Sequence, residues 1–252
     1  MNAVAFAAPE ARIALSIDLA RVIREYSDSR PRSRQVNIGP SEIGVECLRR
    51  LGYKALGYAA SNGGGDPLPP FIGTAVHAEL AAAFEADNER LGRVRWLVEH
   101  RVTVRGSIRG TLDLYDHDTR TVIDHKIVGP STLQKTRAGG PSEQYRAQVH
   151  LYGYGLSAEM PVERVAIAYF PRAGHLDGRI IWAEPFDPAV AETALDRLAS
   201  VIHLAGVLQV DDHPDRWAHV PATPGPGCAF CPFFNAQGVT DADTASCPGT
   251  ST

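Results

Sequence analysis

The spacing of apolar residues changes several times along the chain, and each change predicts an element. Apolar positions three and four residues apart predict five helices, over residues 9–30, 41–56, 71–91, 142–159 and 188–206. Ser41 is placed to cap the second helix, and Gly206 is placed to end the last one. Runs rich in β-branched and aromatic residues predict five strands, over residues 95–106, 107–116, 120–128, 162–172 and 178–186.

The order of these elements favours an α/β protein with a mixed sheet flanked by helices. Turn residues at 116–119 join two of the strands directly, which predicts a hairpin there. The pattern divides the chain into three parts. These are an N-terminal helix and linker (1–40), a core (41–210) and a tail that contains three of the four cysteines (211–252).

Charge and hydropathy narrow the function classes only partly. The net charge is −4, so the basic balance typical of nucleic-acid-binding proteins is absent. Basic residues still cluster at 21–34 and at 49–54, where they could contact nucleic acid or form an ordinary solvated helix face. The chain has no run of 18 or more apolar residues and no basic secretory leader. We therefore expect a cytoplasmic protein without a membrane partner.

Three charged residues of the predicted hairpin carry the strongest chemical signal. Asp124 and Lys126 are two positions apart in one strand, so their side chains share a face, and Asp113 lies in the neighbouring strand. Carboxylates inside a strand need a partner or a metal ion, and Mg²⁺ takes oxygen ligands. The pattern predicts a metal site with an adjacent lysine, and the alternative is an ion pair on the surface.

With this triplet, the sequence resembles the PD-(D/E)XK nuclease superfamily, and specifically its RecB-like branch, which includes the four-cysteine CRISPR-associated exonucleases. The matching segments follow the order of that branch: SEIGVECLRR from Ser41, GTAVHAEL with His77, GTLD ending in Asp113, the tripeptide Asp124-His125-Lys126, and the helix segment Gln148–Tyr152. The resemblance covers residues 41–152, and the cysteines extend it to residue 247. It implies a restriction-endonuclease-like sheet flanked by helices, with the cysteine tail packed on an N-terminal helix.

The resemblance also implies a role for each matching residue. His77, Asp113, Asp124 and the backbone carbonyl of His125 would ligate Mg²⁺ or Mn²⁺. Lys126 would orient the attacking water, while Gln148 and Tyr152 would contact the DNA backbone or position the scissile phosphate. The side chain of His125 is expected to face away from Asp124 and Lys126. His77 and Tyr152 also have simpler interpretations, as an exposed histidine and as a core residue.

The cysteines suggest a second metal site. Cys228 and Cys231 form a CxxC motif, Cys247 follows sixteen residues later, and Cys47 lies far upstream. Four thiolates suit a structural zinc ion or an iron–sulfur cluster. The resemblance implies a [4Fe–4S] cluster, although the last gap is longer than is usual in that branch. Zinc and unrelated free thiols remain alternatives.

Together these features predict a Mg²⁺- or Mn²⁺-dependent DNA exonuclease acting on single strands or duplex ends in recombination, repair or phage replication. The choice of exonuclease over endonuclease rests on the resemblance alone. One alternative is an end-trimming nuclease that works with a recombination or CRISPR-adaptation partner protein. The other is a DNA-binding module of the same fold without turnover.

Overall fold

The computed structural model describes residues 9–29, 38–62, 65–238 and 244–249. The helices are α1 (Pro9–Ser29), α2 (Pro40–Ile43), α3 (Leu48–Ala55), α4 (Leu68–Leu91), α5 (Pro130–Gly139), α6 (Glu143–Leu156) and α7 (Pro188–Leu208). The strands are β1 (Ala59–Ala60), β2 (Trp96–Arg105), β3 (Ile108–Asp116), β4 (Thr121–Val128), β5 (Arg164–Pro171), β6 (Ile180–Pro185) and β7 (Thr244–Ala245). Short 3₁₀ helices lie at Leu176–Gly178, Pro214–His219 and Pro226–Phe230.

Five strands form the central sheet in the order β2-β3-β4-β5-β6. Strands β4 and β5 are parallel, and the other neighbours are antiparallel. This arrangement confirms the predicted mixed sheet flanked by helices. The pairing of β3 with β4 ends at Leu114↔Ile123, so the two strands diverge directly beyond the hairpin. The short strands β1 and β7 pair separately, which joins the tail to the segment after α3.

Helices cover both faces of the sheet. One face packs on α6, where Val149, Tyr152 and Leu156 join a cluster of buried strand residues. The other face packs on α4 through Phe84, whose ring lies 5.0 Å from the ring of Trp96. The cleft described below lies between α4 and α6, so the sheet and both helices position its side chains.

A second cluster of buried residues fixes the tail to α3. Tyr53 and Trp217 pack with ring centroids 4.3 Å apart, and Arg49 donates hydrogen bonds to the carbonyls of Ala218 and Val220. This confirms the predicted packing of the tail on an N-terminal helix. In the part of the chain that the structure describes, no helix combines the length and apolarity that crossing a membrane requires.

Several predicted boundaries were wrong. The helix expected over 41–56 is two helices, because Gly44 approaches α6 so closely that a Cβ there would lie 2.8 Å from Ala147. Ser41 does not cap it, since Pro40 begins α2 and Gly39 occupies the cap position. Helix α7 also continues past Gly206 to Leu208.

Two further regions differ from the predicted elements. Helix α5 was not predicted, and α6 ends at Leu156 rather than at residue 159. Most of the predicted linker over 31–40 lies outside the described residues.

Candidate active site

A cleft of about 1070 Å³ opens between α4 and α6, and we call it the carboxylate cleft. It is bordered by the ends of β2, β3 and β4. All the side chains predicted to take part in catalysis or metal binding line it, namely His77, Asp113, Asp124, Lys126, Gln148 and Tyr152. His125 and Ser41 line it as well. The fold therefore gathers residues that span more than a hundred positions of the sequence.

Asp124, which is buried, and Lys126, which is partly buried, form an ion pair on the α6 face of β4. Their Oδ2 and Nζ atoms are 2.7 Å apart, and Lys126 Nζ also donates to Gln148 Oε1 at 3.0 Å. Gln148 Nε2 in turn donates to Asp124 Oδ1 at 2.9 Å. Gln148 is itself buried, so it holds the aspartate and the lysine in one orientation. The Nζ atom of Lys126 lies 4.7 Å from the ring centre of Tyr145, which adds a cation–π contact.

The electrostatics of Asp124 follow from its burial. Loss of hydration raises the pKa of this carboxyl group to about 6, although the positive charge of Lys126 opposes the shift. The negative charge of Asp113 acts in the same direction as burial. A second cation near Asp124 would lower this pKa, so the site favours binding of a positive ion.

Asp113 is held by different partners. Its Oδ1 lies 3.3 Å from His77 Nδ1 of α4, and its Oδ2 accepts the backbone N–H of His125 at 2.6 Å. Burial alone would raise the pKa of Asp113, but His77 and this N–H lower it below its usual value. The hydrogen bond to Asp113 correspondingly raises the pKa of His77. The carboxylate thus occupies the gap where β3 and β4 have stopped pairing.

In β2 and β3, the regular alternation of side chains between the two faces of the sheet is interrupted near Asp113. Leu97 of β2 and Tyr115 of β3 pack with the α6 cluster, and so do Val102 and Leu112, which have the opposite parity. Between them, Glu99 adopts a left-handed backbone with φ of +47°, and the register contains no pair between Glu99 and Asp113. A left-handed residue inside a strand is strained and re-aims its neighbours. We attribute the position of the Asp113 carboxylate to this irregularity.

The two carboxylates therefore approach the cleft differently from what strict alternation predicts. Asp124 makes its contacts on the α6 side, whereas Asp113 reaches His77 on the α4 side. Both line the same cleft, and the N–H that Asp113 accepts belongs to the residue next to Asp124. Strands β3 and β4 are neighbours, as expected, but their backbone pairing stops before Asp113 and Asp124. The approach of these two residues therefore does not come from a paired position in the sheet.

The donors present suit a divalent cation. Asp124 Oδ2 is a buried oxygen that makes no hydrogen bond of good geometry in the described part of the chain, although Lys126 lies within ion-pair distance. The ligand atoms of His77, Asp113 and His125 all lie within 4.8 Å of one another, and this is the only such group of three among the described His, Cys, Asp and Glu residues. Oxygen and imidazole donors at these separations could hold a divalent metal ion.

Sequence reasoning did not identify several residues of the cleft. Arg101, Arg109 and Arg172 line it, and none has an ion-pair partner in the part of the chain that the structure describes. The side chain of His125 faces away from Asp124 and Lys126, as expected, but it lies beside His77, with ring centroids 6.0 Å apart. Burial lowers the pKa of this imidazole to about 4. Alternation in β2 and β3 could have indicated the arginines, whereas the position of α4 could not be read from the sequence.

All four cysteines line a second cavity of about 410 Å³, which we call the cysteine cavity. Cys247 is placed there because its backbone pairs with the segment after Cys231, with its N–H donating to Phe233 at 2.7 Å. The long gap before Cys247 is therefore compatible with a shared site. Burial raises the pKa of the Cys231 thiol, and the positive charge of Arg50 opposes this.

The spacing of the thiols bears on the kind of metal group. No three of the four sulfur atoms, all of which are described, lie within 4.8 Å of one another. Four thiolates around one zinc ion, at about 2.3 Å from it, would be only about 3.8 Å apart. In a [4Fe–4S] cluster each thiolate ligates a different iron, so the sulfurs stand further apart.

The matching family model covers residues 74–236 and describes the PD-(D/E)XK nuclease superfamily. The chain belongs to this superfamily. That stretch includes every catalytic residue that the sequence predicted in the carboxylate cleft. It also includes Cys228 and Cys231 of the cysteine cavity.

Solved structures with a similar fold include two exonucleases. The alkaline exonuclease LHK-Exo from Laribacter hongkongensis is 12% identical, with 74% of this chain and 96% of that one covered and a TM-score of 0.47. Its complex with dAMP gives a TM-score of 0.48. A phage-related exonuclease from Haemophilus somnus 129PT is 13% identical, with 66% and 82% covered and a TM-score of 0.46. A search of curated proteins returned no match.

Proposed function

We propose that this PD-(D/E)XK nuclease is a metal-dependent DNA exonuclease that hydrolyses phosphodiester bonds in the carboxylate cleft. The single observation that carries the proposal is the buried Asp124–Lys126–Gln148 network facing Asp113 across the gap between β3 and β4. Nothing in the folding of a hairpin requires a buried carboxylate and a partly buried lysine at that point, because burying charges costs free energy. Catalysis accounts for them.

The residues of the cleft have different roles in the proposed reaction. His77, Asp113 and Asp124 offer the side-chain donors for Mg²⁺ or Mn²⁺, and the resemblance adds the carbonyl of His125. The bound cation would polarise the phosphate and make water a better nucleophile. Lys126 Nζ, fixed by Asp124 and Gln148, is placed to orient the attacking water and to balance the negative charge that develops on the phosphoryl oxygens.

Substrate binding falls to the arginines of the cleft. Arg101 and Arg109 lie on β2 and β3, and Arg172 lies just beyond β5, so they approach the cleft from two sides. Phosphates are bound by charge without reading the bases, so we expect little sequence preference. The choice of DNA over RNA, and of strand ends over internal sites, follows the resemblance to RecB-like exonucleases.

The four cysteines would hold a structural [4Fe–4S] cluster that closes a loop of about 180 residues between Cys47 and Cys228. The spacing of the sulfur atoms supports this over a single zinc ion. Arg49 and Arg50 lie near these cysteines and would offset the thiolate charge of either metal group. Protein purified without oxygen should absorb near ~400 nm. Colourless protein with one zinc ion per chain would show that the cysteines bind zinc instead of a cluster. Colourless protein without metal would show that they hold no metal group.

The test of the activity compares linear and circular DNA, in single- and double-stranded form, with Mg²⁺, with Mn²⁺ and with chelator. We expect linear DNA to be degraded from its ends only when a divalent ion is present. The Asp124→Ala variant should be inactive under every condition. Equal behaviour of the variant and the wild type would overturn the site assignment. Nicking of circular DNA would show that the protein is an endonuclease. Binding of DNA without cleavage would show that it is a DNA-binding module.

A further inference from the structure

The role proposed for the backbone carbonyl of His125 does not explain the position of its imidazole side chain. In the proposed function only the carbonyl of this residue contacts the cation, and any residue could supply a carbonyl. The side chain instead turns toward α4, and its nitrogen belongs to the compact group of ligand atoms formed with His77 and Asp113. We propose that the His125 imidazole is itself a ligand, which gives the site two nitrogen donors beside its carboxylates. This inference rests on the proposed function and specifies its metal centre.

The separations fit a single ion. His77 Nδ1 and Asp113 Oδ1 are 3.3 Å apart. Neighbouring ligands around one ion with bonds of about 2.1 Å are roughly 3.0–3.4 Å apart. The ligand atoms of His77, Asp113 and His125 all lie within 4.8 Å of one another. Small rotations of the His77 and Asp113 side chains would therefore bring all three to bonding distance from one ion. An ion would replace the contact that His77 and Asp113 make with each other.

The surroundings of His125 fix its ring. Phe84 of α4 stacks on it, with ring centroids 5.7 Å apart and planes 17° apart, and Phe170 of β5 meets it edge-on at 5.8 Å. A ligand held in advance by packing binds an ion with little loss of side-chain freedom. The same packing offers the competing explanation, which is that the ring only fills the space between the two phenylalanines. The experiment must therefore separate ligation from packing.

Two imidazoles change which ion the site prefers. Mg²⁺ takes oxygen ligands almost exclusively, whereas imidazole suits first-row transition metals. A centre with two nitrogens beside its carboxylates should therefore bind Mn²⁺ more tightly than Mg²⁺, by on the order of tenfold or more. With the carbonyl alone, the site would contain one nitrogen and would discriminate less.

The test counts the nitrogens bound to Mn²⁺ by electron spin-echo envelope modulation, which detects directly coordinated ¹⁴N. We expect two imidazole nitrogens in the wild-type chain, and one each in His77→Gln and His125→Phe. The phenylalanine variant keeps both the aromatic packing and the backbone carbonyl of residue 125. Calorimetric titration should show Mn²⁺ binding weakened by about 10–100-fold in His125→Phe and in His125→Gln. Mg²⁺ binding should weaken less.

The matched control is His150→Gln. His150 is another buried histidine, hydrogen-bonded to Glu184 at 2.6 Å outside the cleft, and its replacement should leave two nitrogens on Mn²⁺. A single nitrogen in the wild-type spectrum would overturn the inference, as would unchanged Mn²⁺ affinity in both His125 variants. Mn²⁺-dependent cleavage together with one bound nitrogen would leave the proposed function standing without this ligand. Two bound nitrogens without any DNA cleavage would support His125 as a ligand and contradict the proposed function.

Discussion

The carboxylate cleft and the cysteine cavity both gather potential metal ligands, but they are built in different ways. In the cleft, side chains from a sheet and two helices already hold one another, as Gln148 does when it bridges Asp124 and Lys126. In the cysteine cavity, the four thiols come from segments far apart in sequence, and packing and backbone contacts of the tail bring them together. The residues of the cleft are therefore held by their own contacts, whereas we expect the cavity to depend on the proposed metal group for stability.

The largest expected effect is on catalysis in the cleft. Replacing Lys126 by methionine removes the charge beside the attacking water while keeping much of the side-chain volume. The rate of DNA cleavage should fall by about 10²–10⁴-fold, which corresponds to roughly 2.7–5.4 kcal/mol of barrier. Steady-state cleavage of a labelled linear DNA at saturating Mn²⁺ measures it. The comparison with Lys135→Met, on α5 outside the cleft, shows whether the loss is specific.

A metal group in the cysteine cavity should affect stability instead. Cys231→Ser should lower the free energy of unfolding by about 2–5 kcal/mol, because the tail is no longer tied to Cys47. Chemical denaturation followed by fluorescence and circular dichroism measures this. Removing the metal from the wild-type chain should reduce its stability to that of the variant. If the two proteins still differ after metal removal, the cysteine stabilises the tail by packing rather than by ligation.

The ion pair between Asp116 and Arg95, next to the turn between β3 and β4, should give a pH-dependent effect of intermediate size. Asp116 accepts two hydrogen bonds from Arg95 and one from Thr119. Burial alone would raise its pKa, but these donors lower it below the usual value. The stabilisation is therefore complete above the unfolded-state pKa near 4 and is lost as the pH falls through the folded-state value.

Asp116→Asn should consequently destabilise the protein by about 1.5–3 kcal/mol at pH 7, and this difference should shrink as the pH falls below about 4. Urea denaturation at several pH values measures it. A difference that stays constant over the whole range would mean that the carboxylate charge does not contribute.

The smallest effect concerns the strained position that shapes the cleft. Glu99→Gly should be more stable than Glu99→Ala by about 1 kcal/mol, because both variants lose the contacts of the side chain and only glycine accepts a positive φ without strain. Thermal unfolding of both variants measures the difference. Equal stability of the two would show that the left-handed backbone at Glu99 costs nothing.

The same position tests how the backbone places Asp113. Glu99→Val should disfavour the left-handed conformation, since β-branched residues rarely adopt it. We expect weaker Mn²⁺ binding in this variant than in Glu99→Gln, which removes the charge but keeps an unbranched side chain. If the two variants bind Mn²⁺ equally, the left-handed backbone at Glu99 does not control the position of Asp113.

Much of the molecule could be predicted from local patterns. Five strands and most of the helices follow from the spacing of apolar residues, and Asp124 and Lys126 share a face because strand side chains alternate. The split of the helix after Ser41 could not be predicted, since it depends on the close approach of Gly44 to α6. Helix α5 lacks a strong apolar pattern and was missed for that reason.

The superfamily, the order of the elements and the residue types that the chemistry needs could all be inferred from the amino-acid sequence, because they depend on short motifs and on periodicity. How those residues meet depends on the three-dimensional packing of the chain. It turned Asp113 toward His77 through the irregularity at Glu99, set the ring of His125 against α4, and placed Cys247 in one cavity with the other cysteines. These outcomes depend on long-range packing and on a departure from strand alternation, which a local sequence pattern does not encode.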